Sequence, residues 1–199
     1  RDYLRSQKKN GLITDDEIGE IGTRLSQAID EVGATRGFGF FRDPSRLATR
    51  NQAALDDLGP QVGDVLTAAD TAGVVPQINI LGPGSATQNL LNTARASRAD
   101  VREAIQEFNG RFLDPVDGWD GTVAGLNAWK GSLQQLGFSG SARGTLPADL
   151  ARRIQRAIGA DLSESVNNAV RRSGVVAPED WTTLMRQYSN HAELAQVLN

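Results

Sequence analysis

The residues best equipped for chemistry are three aspartates in one short stretch, DPVDGWDG at 114–121. Asp114, Asp117 and Asp120 lie close enough along the chain to hold a hard cation, or to act as acid and base on a glycosidic bond. Aspartate is equally the standard residue of turns and helix N-caps, so the same spacing also fits a capped loop. Glu164 is the fourth candidate carboxylate. Together these four define the one enzymatic reading, a carboxylate-dependent glycan or peptidoglycan hydrolase. Other routes are closed by composition. The chain has no cysteine, which removes thiolate catalysis, disulfides and cysteine zinc sites. Its single histidine, His191, is the only possible base of a Ser-His-Asp triad and has no second imidazole with which to bind a metal. Beside Asn190 and Glu193 it reads as a capping or surface residue.

Two further motifs resemble ligand loops. GPGSATQ at 82–88 follows an apolar run and opens a helical pattern, the layout of a phosphate-binding loop. It lacks both the Gly-Lys-Ser/Thr ending and the third glycine of a dinucleotide loop. Ser85 with Gln88 is instead a capping box. In NGLITDDE, residues Asn10, Gly11, Ile13, Thr14 and Glu17 fit the later positions of a calcium loop. Ser6 and Lys8 would then supply its first and third ligands, and a lysine ammonium repels the cation. Neither a metal nor a cofactor is therefore expected. The G-x-I-T-x-x-E pattern also resembles the helical-hairpin tails common in bacterial proteins, which implies only a turn and a cap. Glu164-Ser165 is similar to the Glu-Ser pair of lytic transglycosylases. The residues that surround that pair in the family are absent here, so the role is not carried over.

The elements that must position these residues are helices. Behind the capping box Thr14–Glu17, residues Ile18, Ile21, Leu25, Ala28, Ile29 and Val32 fall on one helical face. Pro44 opens a helix that Gly59 is expected to end, and Pro60 opens another that stops at Gly73. Val74 to Leu81 is the only strand-like run. Pro76 removes a backbone donor there, and no partner strand is evident, so residues 73–84 read as an extended crossover. Ser97 begins a further helical pattern, with Val101, Ile105, Phe108 and Phe112 on one stripe. Leu126, Trp129, Leu133 and Leu136 form another stripe. Pro147 to Gly159, Leu162 to Gly174, and the residues after Pro178 supply the remaining helices. The chain is expected to be all-α, an irregular multi-helix bundle of short helices with at most one extended segment at about 74–81. The Gly/Ser stretch 137–145 divides a main helical domain, 1–136, from a C-terminal helical subdomain, 145–199.

The charge balance, 21 Lys and Arg against 24 Asp and Glu, lacks the basic surplus that phosphate backbones require, so nucleic acid is not expected as a partner. No apolar run approaches the length of a membrane span. The chain opens on Arg1, and its only methionine is Met185; it is expected to be a processed product or a segment of a larger bacterial or viral (phage) protein. Phe38, Phe40 and Phe41 sit in a glycine-broken loop, from which adjacent aromatic rings cannot all turn inward. With Trp119 they are the candidate partner-binding residues. The reading that follows is a non-enzymatic helical structural and interaction module. It docks other protein chains, or copies of itself, in a compartment left open, with the carboxylate hydrolase as the alternative.

Overall fold

A computed structural model describes residues 15–33, 44–93, 119–136 and 148–198. Among them are six helices and no strand: α1 (Asp15–Gly33), α2 (Pro44–Thr71), α3 (Ala86–Thr93), α4 (Val123–Leu136), α5 (Ala148–Ser173) and α6 (Pro178–Leu198). The all-α expectation holds, and no helix is long and apolar enough to cross a membrane among the described residues.

The chain groups into two compact units. One contains α1, α2 as far as Asp64, and α6; the other runs from Val65 to Val176 and contains the end of α2, then α3, α4 and α5. The expected division at 137–145 lies outside the described residues.

In the first unit α1 packs on α6. Leu25, Ala28 and Leu194 are its buried cluster, flanked by Ile21, Ile29, Leu47, Val197 and Leu198. The apolar face expected on α1 is therefore the face it buries. A polar ladder runs beside the cluster. Arg24 Nε donates to Glu193 Oε2 at 2.7 Å and its Nη2 to Oε1 at 3.2 Å, and Asn190 Nδ2 donates to Gln27 Oε1 at 3.3 Å. His191 Nε2 lies 3.2 Å from Glu31 Oε2. From Arg24 to Gln27 the α1 residue moves forward three places while its α6 partner moves back three, from Glu193 to Asn190, the sense of an antiparallel pair. Pro178 begins α6 with Glu179 and Asp180 in the first turn, where a fixed φ and negative charge both suit a helix N-terminus.

In the second unit α5 is the central element and packs against both α3 and α4. Ile154, Ile158, Leu162, Val166 and Val170 are its largest fully buried side chains. Spaced four apart, they keep the same face inward along the helix. Val123, Leu126 and Leu133 of α4 are buried as well.

Two helices run on where the sequence suggested stops. α2 passes through Gly59 and Pro60 without a break. A proline inside a helix costs about 3 kcal/mol, but Asn51, Leu55, Leu58, Val62, Leu66 and Ala69 stay in helical phase on both sides of it. A restart at Pro60 would gain nothing in burial and would lose that register. α5 likewise passes through Gly159, where the four-residue step of its buried face is uninterrupted. The stop that was expected at Gly73 is present. Gly73 has φ 75°; its N–H bonds to Asp70 O at 2.9 Å, and the Val74 N–H bonds to Ala69 O at 3.4 Å. This is the paired reverse bonding of a glycine-ended helix.

Candidate functional site

After Gly73 the chain is neither helical nor turned from 74 to 79. Exposure alternates along it: Pro76 and Ile80 are buried, whereas Val75, Gln77, Asn79 and Leu81 face solvent. That two-residue period is the mark of extended backbone. Val75 is 64% exposed and Leu81 47% exposed, the two largest values for big apolar side chains among the described residues. Arg172 of α5 fixes one end by donating from Nη2 to Val75 O at 3.0 Å. Ser85 fixes the other by donating from Oγ to Ile80 O at 2.8 Å. Between these two anchors the N–H groups of Gln77, Ile78 and Asn79 have no hydrogen-bond acceptor among the described residues. The segment is a strand in form, with no strand beside it.

The segment ends in a tight turn. Ser85 N–H bonds to Gly82 O at 3.2 Å, with Pro83 at the second position and Gly84, φ 84°, at the third; these are the residues a type II turn demands. A side chain at Gly82 would collide with the amide oxygen of Asn79. Ser85 then caps α3, accepting on Oγ from Gln88 N–H at 3.0 Å. This is half of the expected capping box; the Gln88 side chain bonds Asn92 instead. The first two amides of α3 are satisfied from outside. Asp161 of α5 accepts from Ala86 N–H at 2.6 Å, from Thr87 N–H at 3.0 Å and from Thr87 Oγ1 at 2.6 Å. The phosphate-loop layout thus already holds an anion, the protein's own buried carboxylate.

The same arrangement occurs a second time. Gly121, φ 79°, precedes the N-cap Thr122, whose Oγ1 accepts from Gly125 N–H at 2.9 Å. Asp70 of α2 accepts from Val123 N–H at 2.5 Å and from Ala124 N–H at 3.2 Å. In both places a left-handed glycine, a hydroxyl N-cap and a carboxylate from another helix cover the first three amides of the new helix. Sequence reasoning found Ser85 but neither Asp70 nor Asp161. The signal available for Asp161 was a carboxylate lying among the apolar residues of a helical stripe.

Of the other candidate aromatics and carboxylates the structure describes Trp119, Asp120 and Glu164. Phe38, Phe40, Phe41, Asp114 and Asp117 lie outside the described residues, as does the 6–14 part of the calcium-like loop. Trp119 is half-buried and donates from Nε1 to Thr122 O at 2.9 Å. Asp120 is exposed and accepts from Thr122 Oγ1 at 2.6 Å and from Thr122 N–H at 3.0 Å. Those bonds, the hydroxyl's first, hold its carboxyl below the usual aspartate range, which suits a cap and opposes the role of proton donor. Glu164 is exposed on α5. No group of three metal-ligating side chains occurs among the described residues.

His191, expected at the surface, is buried. Asn51 Nδ2 donates to the His191 carbonyl at 2.8 Å, which leaves Asn51 Oδ1 as the atom 2.8 Å from Nδ1, so Nδ1 carries a proton. Nε2 lies beside Glu31 Oε2, which is buried and accepts no hydrogen bond. With both nitrogens engaged by helix side chains, the imidazole joins α1, α2 and α6 of the first unit. The chain matches no protein-family model, no curated protein and no solved structure.

Proposed function

We propose that the chain is a helical interaction module that docks a protein partner along residues 74–81. The observation that carries this reading is the unpaired extended segment, with Val75 and Leu81 exposed on its outer row and unbonded amides between its anchors. An extended peptide laid beside it would cover both side chains and offer main-chain acceptors to the amides of one edge, those of Gln77 and Asn79, as in strand addition. Exposed unpaired strands are a liability unless they are used or protected. Here Pro76 shortens the run of donors, and Gln77 and Asn79 keep the middle of the row polar.

The test is selection of a random-peptide display library against the folded chain. Bound peptides should slow amide exchange at Gln77 and Asn79 more than at Ile78, whose N–H points to the opposite edge. Covering each exposed apolar side chain contributes about 1–2 kcal/mol, so Val75→Asp with Leu81→Asp should weaken binding at least about thirtyfold. Circular dichroism and melting should stay at wild-type values, since both side chains are already in water. Peptides that bind equally well to the double variant, or that leave those amides unprotected, would refute the proposal.

A further inference from the structure

Granted the docking role proposed above for residues 74–81, the order of their own residues names the partner. Taken outward from Ile78, the exposed row has the same chemistry in both directions: Gln77 and Asn79 are amides, and Val75 and Leu81 are large aliphatics. In an antiparallel pair of strands, one step forward on one strand faces one step back on the other. Setting Gln77 opposite Asn79 of a second copy therefore sets Asn79 opposite its Gln77. The same register sets Val75 opposite its Leu81 and Leu81 opposite its Val75, with a twofold axis at Ile78. Every facing pair then joins like with like.

The main chain suits the same register. Gln77 and Asn79 turn both N–H and C=O to one edge, and none of these groups is hydrogen-bonded among the described residues. Paired across the twofold, each would exchange both of its bonds with the copy, inside the stretch that is free of turns. Pro76, which has no N–H, belongs to the opposite edge and interrupts nothing. Charge does not oppose the pairing. From Thr71 to Ala94 the chain carries no charged side chain, whereas charged residues are a usual means by which exposed strands keep copies apart. Arg172 is held at Val75, so the two Arg172 groups of a pair would lie at opposite ends. They would be about 20 Å apart along the ladder, well beyond a screening length of about 8 Å.

We propose that the docked partner is a second copy of this chain, joined antiparallel about Ile78 into a twofold-symmetric dimer. Such a contact closes on itself, because the edge that meets the copy is no longer open to a third chain. Two short segments meeting along one edge bury less than the roughly 1,000 Å² of a stable interface. The dimer therefore exchanges with monomer and grows with concentration.

The experiment follows the full chain by sedimentation velocity from about 10 μM to about 1 mM, the span over which a small interface associates. The unaltered protein should pass from monomer to dimer. Amide exchange at Gln77 and Asn79 should slow severalfold with concentration while Ile78 keeps its dilute rate. Val75→Asp with Leu81→Asp should stay monomeric throughout. Because the chain has no cysteine, single cysteines at exposed positions report the register. Gln77→Cys and Asn79→Cys, mixed and oxidised, should cross-link to each other, since facing Cα atoms lie about 5.5 Å apart, within disulfide reach. Either variant alone should cross-link severalfold less, because identical positions lie diagonally, at about 7–8 Å. Three results would each overturn the pairing: a chain that stays monomeric to the top of the range, a dimer that leaves the Gln77 and Asn79 amides unprotected, or a single variant that cross-links as fast as the mixture. A monomeric chain that still selects peptides along 74–81 would overturn the second copy alone, and one that selects none would overturn the docking role with it.

Discussion

Asp161 is the side chain whose removal should reveal most about how the second unit is held together. Its carboxylate is buried and accepts three hydrogen bonds from the first turn of α3. Asp161→Ala leaves two backbone N–H groups and the Thr87 hydroxyl without an acceptor. Thr87 is fully buried, so water replaces those bonds poorly. An unmade bond at a buried donor costs about 1–3 kcal/mol, and loss of an N-terminal cap alone costs about 0.5–2 kcal/mol. Allowing for partial rehydration at Ala86, Asp161→Ala should destabilise by about 3–5 kcal/mol. Asp161→Asn retains one acceptor oxygen and the side-chain volume, and should lose about half as much. Urea denaturation measures the totals, and amide exchange at Ala86 and Thr87 reports the local effect. Those two amides should exchange faster in Asp161→Ala by a larger factor than amides within α1 of the first unit. An Asp161→Ala cost below about 1 kcal/mol, or unchanged protection at both amides, would show that the cap is geometry without energetic consequence.

Ser85→Ala should cost about 1 kcal/mol through loss of the Gln88 cap, read by the same urea titration. Gly159→Ala should stabilise by about 0.5–1 kcal/mol, because a methyl group there meets no atom within 4 Å and alanine is the better helix former; a lowered melting temperature would contradict this. Asp120 should titrate below an ordinary aspartate when followed by carboxyl carbon NMR, and Thr122→Val should raise it. Since its folded value is depressed, whatever stability it supplies is present above the unfolded value and is lost as the pH falls through the folded one.

The helical class could be read from the sequence because it rests on local spacing: the stripe containing Leu25 and Ala28 and the stripe of Ile154 and Ile158 are visible along the chain. Gly59, Pro60 and Gly159 misled because a breaker has a local cost, whereas continued phase pays back over several turns. The phase was the better guide in both helices. The extended crossover was legible, and so was Ser85, whose cap lies within three residues. Asp70 and Asp161 were not, because nothing near a carboxylate in sequence states which distant helix end it will meet. His191 was misplaced for the same reason: its environment is made by Asn51 and Glu31, from two other helices.

The two borrowed caps also bear on the order in which the chain can assemble. Asp161 is 75 residues from Ala86, and Asp70 is 53 residues from Val123. α3 has eight residues, too few to persist alone in water, and its first turn is completed only by a side chain that is synthesised much later. The long loop must therefore close before α3 gains its full stability, which sets α3 among the late elements to become ordered. Asp70 precedes the helix that it caps, so α4 can be completed as soon as it meets the end of α2. A nascent chain that has passed Leu136 but not yet Asp161 would thus have α4 capped and the start of α3 open.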